Sequence, residues 1–234
     1  MKIWAKKPID GKIITLREHT EDLINNLEKL KNKLDSKIPK KLDKIEKEDL
    51  FNLLKYACFF HDLGKVSPKF QKKLGNDKFY ENCAEYLKID LRHNILSLFF
   101  INKKKVKEIC NQNDSLFSTF LSSIAFHHWK KDEREYILHL NYDLIETSKY
   151  LLENDNGKKL EQILKKHFSC YEIDTEKAEN LISFDVDLAT HIKEEGDLIS
   201  YGIIPPYTLY FLPERLLEQK NLQIDPKLWL YLSG

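Results

Sequence analysis

The chain has no excess charge of either sign. Lys and Arg number 38 against 37 Asp and Glu, which leaves a formal charge of +1 over 234 residues. Net charge therefore gives no argument for nucleic-acid binding, and any such surface must come from local clustering. No uncharged run approaches the roughly 18 residues that a membrane span requires, so no membrane partner is expected. The four cysteines (Cys58, Cys83, Cys110, Cys170) are widely spaced and include no Cys-x-x-Cys pair, and the chain opens on no signal peptide. That pattern predicts a reduced, cytoplasmic protein in which Cys58 acts as a small hydrophobe within an apolar helix. Glycine is sparse beside abundant Lys, Glu, Ile and Asn, a bias that base composition or a hot habitat would explain. Internal repeats and low-complexity linkers are absent, and strand-like alternation is scarce.

What is present is helical periodicity, and the fold class it predicts is all-α. Residues 1–14 read as a short strand or extended arm with a turn at Gly11. Thr15-Leu16-Arg17-Glu18 fits a capping box. The helix it opens carries Leu16, Thr20, Leu23, Leu27, Leu30 and Leu34 on one face, with His19 in the first turn. Residues 35–47, Lys-rich and holding Pro39, read as a solvated connection. Asp49 is expected to cap a second helix running through Leu50, Leu53, Leu54, Ala57, Cys58 and Phe60 into His61-Asp62. Gly64 is the expected terminator, with Pro68 opposing resumption. Asp90 is expected to cap a third helix containing His93, and Ser115 a fourth that ends at His127-His128. Two or three further helices are expected over 132–200, broken near Asn154–Gly157. Beyond Pro205-Pro206 come a helix near 207–219 and another starting at Asp225-Pro226. The chain stops two turns into that last apolar stretch, as a fragment would.

The run His61-Asp62-Leu63-Gly64-Lys65 carries the most chemical information. A neutral nitrogen donor stands beside an anionic carboxylate whose two oxygens can bridge two metal ions. His19, His93 and the tandem His127-His128 each fall on the inward face of an expected helix. Taken singly, His19 or His93 reads as a semi-buried structural histidine. Paired imidazoles at an apolar helix end would cost desolvation without partners. Five histidines and one aspartate are too many donors for a single ion with an open position and suit two, with Asp62 between them. Mixed imidazole and carboxylate donors favour Mn, Ni, Co, Fe or Zn over Mg. A metal-activated water would then be the nucleophile of phosphoester hydrolysis. Lys65 is either a stabiliser of developing charge or a solvated lysine past a helix end. His139, His167 and His191 lack comparable context and read as surface or structural residues.

Local basic clusters exist. Lys69, Lys72 and Lys73 lie near Phe70, Phe79 and Tyr80, and Lys130 and Lys131 follow Trp129, with Tyr136 beyond. Lys103, Lys104, Lys105 and Lys107 form a further run. Each alone reads as a solvated helix face. Together with aromatics, the first two groups are the candidate contacts to a single strand.

The order His19, His61-Asp62, His93, His127-His128 resembles the HD superfamily of metal-dependent phosphohydrolases. Within it, the chain is most similar to the HD nuclease domain of the type I CRISPR-associated helicase–nuclease. The resemblance runs from the Leu-Arg-Glu-His-Thr entry helix through HDLGK to Ala-Phe-His-His-Trp. It implies an HD-domain helical bundle with a helical insertion or C-terminal elaboration, residues 1–234 forming one domain cut short at its C-terminal end. It also implies a role in CRISPR interference, with single-stranded DNA as substrate, and as partners a fused or separate helicase and an RNA-guided surveillance complex. By position, His19, His61 and Asp62 would serve one ion, and Asp62, His93, His127 and His128 the other. The family's last ligand is an aspartate on a late helix, just beyond a stretch similar to Leu230–Gly234. Asp185, Asp187 and Asp197 precede that point, so the distal aspartate is expected to be lost with the truncated C-terminus, leaving the ion at His19 and His61 underliganded and activity weak or absent. Two other readings stay open: hydrolysis of a nucleotide or cyclic nucleotide, and a silent HD scaffold.

Overall fold

Thr15 opens the first helix as the sequence predicts. Its amide donates to Glu18 Oε2 at 2.7 Å, and the Glu18 amide donates back to Thr15 Oγ1 at 3.3 Å. Two amides that would be orphaned at a helix start are thereby satisfied. Helix α1 spans Leu16–Leu34 and buries Leu16, Thr20 and Leu27. Leu30, expected on the same face, is 48 % exposed.

The computed structural model describes residues 1–34, 41–42, 45–128, 134–198 and 201–203. The arm ahead of α1 doubles back through bridges between Trp4 and Thr15 and between Ile9 and Lys12, with Asp10 and Gly11 at positive φ. Within the expected solvated connection, Lys41–Leu42 pairs antiparallel with Ile45–Glu46. Helix α2 is Lys47–Phe60, so Asp49 lies inside its first turn rather than at its cap. A 3-10 turn over Leu63–Val66 follows, then α3 (Pro68–Lys73) and α4 (Asp77–Cys83). Helix α5 is only His93–Ser97 and continues as a 3-10 turn through Phe100. Arg92, not Asp90, holds its N-cap position, and Asp90 instead pairs with Lys73 at 2.5 Å. Helix α6 (Lys103–Ile109) is capped by Asn102 and α7 (Asp114–Phe126) by Asn113, whose Oδ1 accepts from Leu116 N at 3.0 Å. Ser115, the expected cap of α7, sits in its first turn.

Helix α7 is the axis of the fold. Every residue from Phe117 to Phe126 is buried, as befits a helix surrounded on all sides. Two of its buried polar side chains bond within the helix: Thr119 Oγ1 donates to the Ser115 carbonyl and Ser123 Oγ to that of Phe120. Around it, Phe60 meets Phe120 edge-on at 6.1 Å, and Phe59 meets Phe60 and Phe168 at 5.1 and 5.0 Å. Each such ring contributes on the order of 1.5–3 kcal/mol through burial.

The C-terminal elaboration comprises α8 (Arg134–Leu152), α9 (Asn156–His167), α10 (Ala178–Leu181) and α11 (Val186–Glu195). The expected break is present, with Asn154 and Asp155 both at positive φ between α8 and α9. An extended segment returns to the core, where the amides of Ser183 and Asp185 donate to the carbonyls of Phe100 and Phe99. The architecture is all-α, and among the described residues no helix is long and apolar enough to cross a membrane. The features expected at Pro205-Pro206, 207–219, Asp225-Pro226 and 228–234 lie outside the described residues.

Candidate metal centre

Four helix ends converge on one point. His19 comes from the first turn of α1, and His61-Asp62 directly follows α2. His93 opens α5, and His127-His128 close α7. Helix ends place a side chain without continuing backbone in its way, which suits convergence from several directions.

Gly64 makes the approach of α5 to the HDLGK turn possible. It does not terminate α2, which ends at Phe60, and its φ is not left-handed. A Cβ there would lie 1.9 Å from the His93 carbonyl oxygen and 2.7 Å from the Ser97 amide nitrogen. Only a residue without a side chain admits the α5 backbone at that distance.

Asp62 is the centre of the arrangement, 2 % exposed. Its Oδ2 faces His61 Nε2 at 3.1 Å, His19 Nε2 at 3.3 Å and Lys65 Nζ at 2.6 Å. Its Oδ1 faces His93 Nε2 at 3.2 Å. Burial alone would raise the carboxyl, but the His61 ring charge and hydrogen bonds from His19, His61 and His93 outweigh it and hold Asp62 well below the usual carboxylate range. It stays ionised, with its two oxygens turned toward different imidazole sets.

The structure brings all six expected donors into two groups. His19, His61 and Asp62 form one, and His93, His127 and His128 the other; within each, the donor atoms lie within 4.8 Å of one another. His61 Nδ1 is 2.9 Å from the Cys58 carbonyl and His127 Nδ1 is 2.8 Å from that of Ile124. A carbonyl cannot donate, so in both rings Nδ1 carries the proton, which leaves Nε2 as the nitrogen that a metal ion would take. His127 Nε2 is buried without a hydrogen-bond partner, and Asp62 Oδ1, buried as well, is approached by His93 Nε2 at 3.2 Å. Burial, then the neighbouring His61, pushes His127 down to about 3, and burial and His93 lower His128. His93 Nε2 and His128 Nε2 approach to 3.2 Å. Imidazoles turned inward through Nε2, an ionised carboxylate and an orphaned buried nitrogen on His127 fit divalent transition metals.

Of the candidate nucleic-acid contacts, Lys69, Lys72 and Lys73 all lie on α3, the helix that directly follows the HDLGK turn. Phe70, on the same helix, packs on His93 at 5.0 Å. Lys72 stands over the Tyr80 ring at 4.3 Å and Lys73 is engaged by Asp90. Lys130 and Lys131 lie outside the described residues. From the other lysine run, Lys103 turns inward to pair with Asp185 at 2.5 Å and to cover Tyr201.

Several contributors escaped the sequence reading. Asn94 donates through Nδ2 to the Ala125 carbonyl and so ties α5 to the helix bearing His127 and His128. Gln71, fully buried, donates to the carbonyls of Trp4 and Lys65 and thereby fixes the arm against the HDLGK turn. His167 accepts from the Arg17 amide in the first turn of α1. Asn94 stands next to His93, which was a usable signal; Gln71 and His167 act across distances that spacing does not encode.

Comparison with known proteins agrees with this architecture. The CRISPR-associated nuclease/helicase Cas3 of Methanothermobacter thermautotrophicus is 28% identical over 211 residues, covering 84% of this chain and 22% of that relative. The chain thus spans about a fifth of the length of that protein. No solved structure matches it. The family model for the HD domain of Cas3 matches residues 4–141, which include all six converging side chains and more than half of the chain. On that match the chain belongs to the Cas3 HD-domain family.

Proposed function

We propose that this protein is a metal-dependent phosphodiesterase that cuts single-stranded DNA in CRISPR interference, using two divalent ions bridged by Asp62. The observation that carries the reading is the division of the Asp62 carboxylate, with Oδ2 toward His19 and His61 and Oδ1 toward His93. Bound there, two ions chosen from Mn, Fe, Co, Ni or Zn would acidify a water and offset charge on the phosphoryl oxygens. His19 and His61 would hold the first ion with Asp62; His93, His127 and His128 would hold the second. The Nδ1 anchors of His61 and His127 fix ring orientation before any metal arrives, so little reorganisation accompanies binding. Lys65, paired with Asp62 Oδ2 at 2.6 Å, orients the carboxylate and would supply a cation that stabilises charge developing on the phosphate. The lysines of α3 would guide the strand, with Lys130 and Lys131 as further contacts. A helicase, fused or separate, would feed the strand once an RNA-guided complex has exposed it; the nuclease/helicase naming of the relative supports that pairing.

The test is cleavage of labelled single-stranded DNA across Mn, Fe, Co, Ni, Zn and Mg, beside duplex DNA and cyclic nucleotides, with Asp62→Ala as control. Transition-metal-dependent cutting of the single strand that disappears in the variant is expected. Cutting that persists in Asp62→Ala, or turnover confined to cyclic nucleotides, would overturn the reading.

A further inference from the structure

Ser97 lies fully buried one turn beyond His93. Its hydroxyl accepts from the Gly64 amide at 2.8 Å, and it stands 2.9 Å from the His61 carbonyl and 2.8 Å from the His93 carbonyl. A hydroxyl offers one proton and two lone pairs. Here it receives one donor and shares its proton between two carbonyls. A helical serine bonding to the carbonyl four residues earlier is ordinary and would satisfy the side chain by itself. The two additional bonds are not required by Ser97; they serve the HDLGK turn, gripped on both sides of Asp62 by one oxygen.

The geometry points to Ser97 as a positioning residue of the metal centre: by clasping His61 and Gly64 to the helix of His93, it sets the separation between the His19–His61–Asp62 group and the His93–His127–His128 group. The inference rests on reading those groups as metal ligands. The absent side chain at Gly64 lets α5 come close, and Ser97 fixes where it stops. Without the hydroxyl, the Gly64 amide and the His61 carbonyl lose their shared partner in a dry interior. The turn then gains freedom of tenths of an ångström, comparable to the tolerance of about 0.2 Å in metal–ligand distances. Loss of such an outer partner weakens metal binding by roughly 10- to 100-fold.

The experiment measures Mn and Co uptake by the purified full chain calorimetrically, together with the visible spectrum of bound Co and the metal-free Tm. Wild type, Ser97→Ala, Ser97→Cys and Leu151→Ala are compared. Leu151 is a fully buried core residue on α8, which packs against α9 and α11 rather than against the HDLGK turn or α5, and its truncation supplies a destabilised control. Expected is at least tenfold weaker uptake and an altered Co spectrum in Ser97→Ala, a smaller loss in Ser97→Cys, and wild-type affinity in Leu151→Ala. Should Ser97→Ala fail to fold, Ser97→Cys with its weaker hydrogen bonds carries the comparison. Unchanged affinity in folded Ser97 variants, or a loss that Leu151→Ala shares, overturns the inference alone. A wild-type chain that takes up neither metal overturns the parent reading, and this inference with it.

Discussion

The backbone amide of Arg17 donates to Nε2 of His167 at 3.1 Å, across 150 positions of sequence. The last residue of α9 thereby satisfies an amide in the first turn of α1, two positions from His19. A ring that accepts from an amide must be neutral at that nitrogen. Burial, reinforced by Arg17, accordingly pushes His167 down to about 4.

That depression predicts an acid sensitivity. Between the ordinary histidine value of about 6.5 and the folded value, the unfolded chain binds a proton that the folded chain refuses. Stability should fall as pH drops through that window, by roughly 3 kcal/mol from this group, and be unaffected by it above pH 7. His167→Gln keeps an acceptor but does not titrate. Urea melts at pH 7, 6, 5 and 4 should show a shallower decline in the variant, and parallel curves would remove His167 as the cause.

The pair Asp62–Lys65 should be strongly coupled in the metal-free protein. Truncating Asp62 leaves the buried Lys65 ammonium without its partner, a loss that costs about 3–5 kcal/mol in buried pairs, whereas truncating Lys65 leaves Asp62 with the imidazoles of His19, His61 and His93. A double-mutant cycle with Asp62→Ala and Lys65→Met is expected to give a coupling energy of at least about 1 kcal/mol at pH 7. A value near zero would mean that the 2.6 Å approach of Lys65 Nζ to Asp62 Oδ2 is incidental.

At the other end of the site, Asn113→Ala should cost about 1 kcal/mol through loss of the α7 cap. Ser115→Ala should cost less, because Ser115 lies within the helix rather than at its start. Chemical denaturation of the two variants decides the point, and the reverse order would move the cap back to Ser115.

Binding to single-stranded DNA should depend unequally on the three lysines of α3. Each phosphate that a lysine no longer neutralises makes the slope of log K against log salt shallower by about 0.7. Lys69→Ala and Lys72→Ala are expected to show that change, whereas Lys73→Ala, whose ammonium Asp90 already engages, should show little. Equal slopes for all four proteins would place the strand elsewhere.

The sequence was most legible where chemistry is local. The reciprocal pair Thr15–Glu18 needs only a spacing of three, and it formed as expected. The break at Asn154-Asp155 was legible for the same reason, since these side chains tolerate left-handed backbone. Caps with rivals nearby were misplaced: Asn113 prevails over Ser115 and Arg92 over Asp90, because neighbouring candidates differ by less than the tertiary packing that chooses between them. Gly64 was assigned the right importance for the wrong reason, its requirement being the passage of another helix rather than a chain reversal. The six converging side chains could be picked out by residue type and helix face. Their division about Asp62 is implied by the family resemblance and not by spacing, because it depends on packing between distant helices.

The side chains that meet at Asp62 are drawn from positions 19, 61, 93, 127 and 128, and no two of the contributing elements adjoin without intervening chain. Every loop between them must close before the last imidazole arrives, so the centre has high contact order and completes late in folding. An unfolded or half-collapsed chain presents at most His61-Asp62 or His127-His128, each too sparse to hold an ion firmly. Metal added during refolding should therefore leave the folding rate nearly unchanged and slow unfolding instead, acting as a latch on the finished molecule rather than a template for making it.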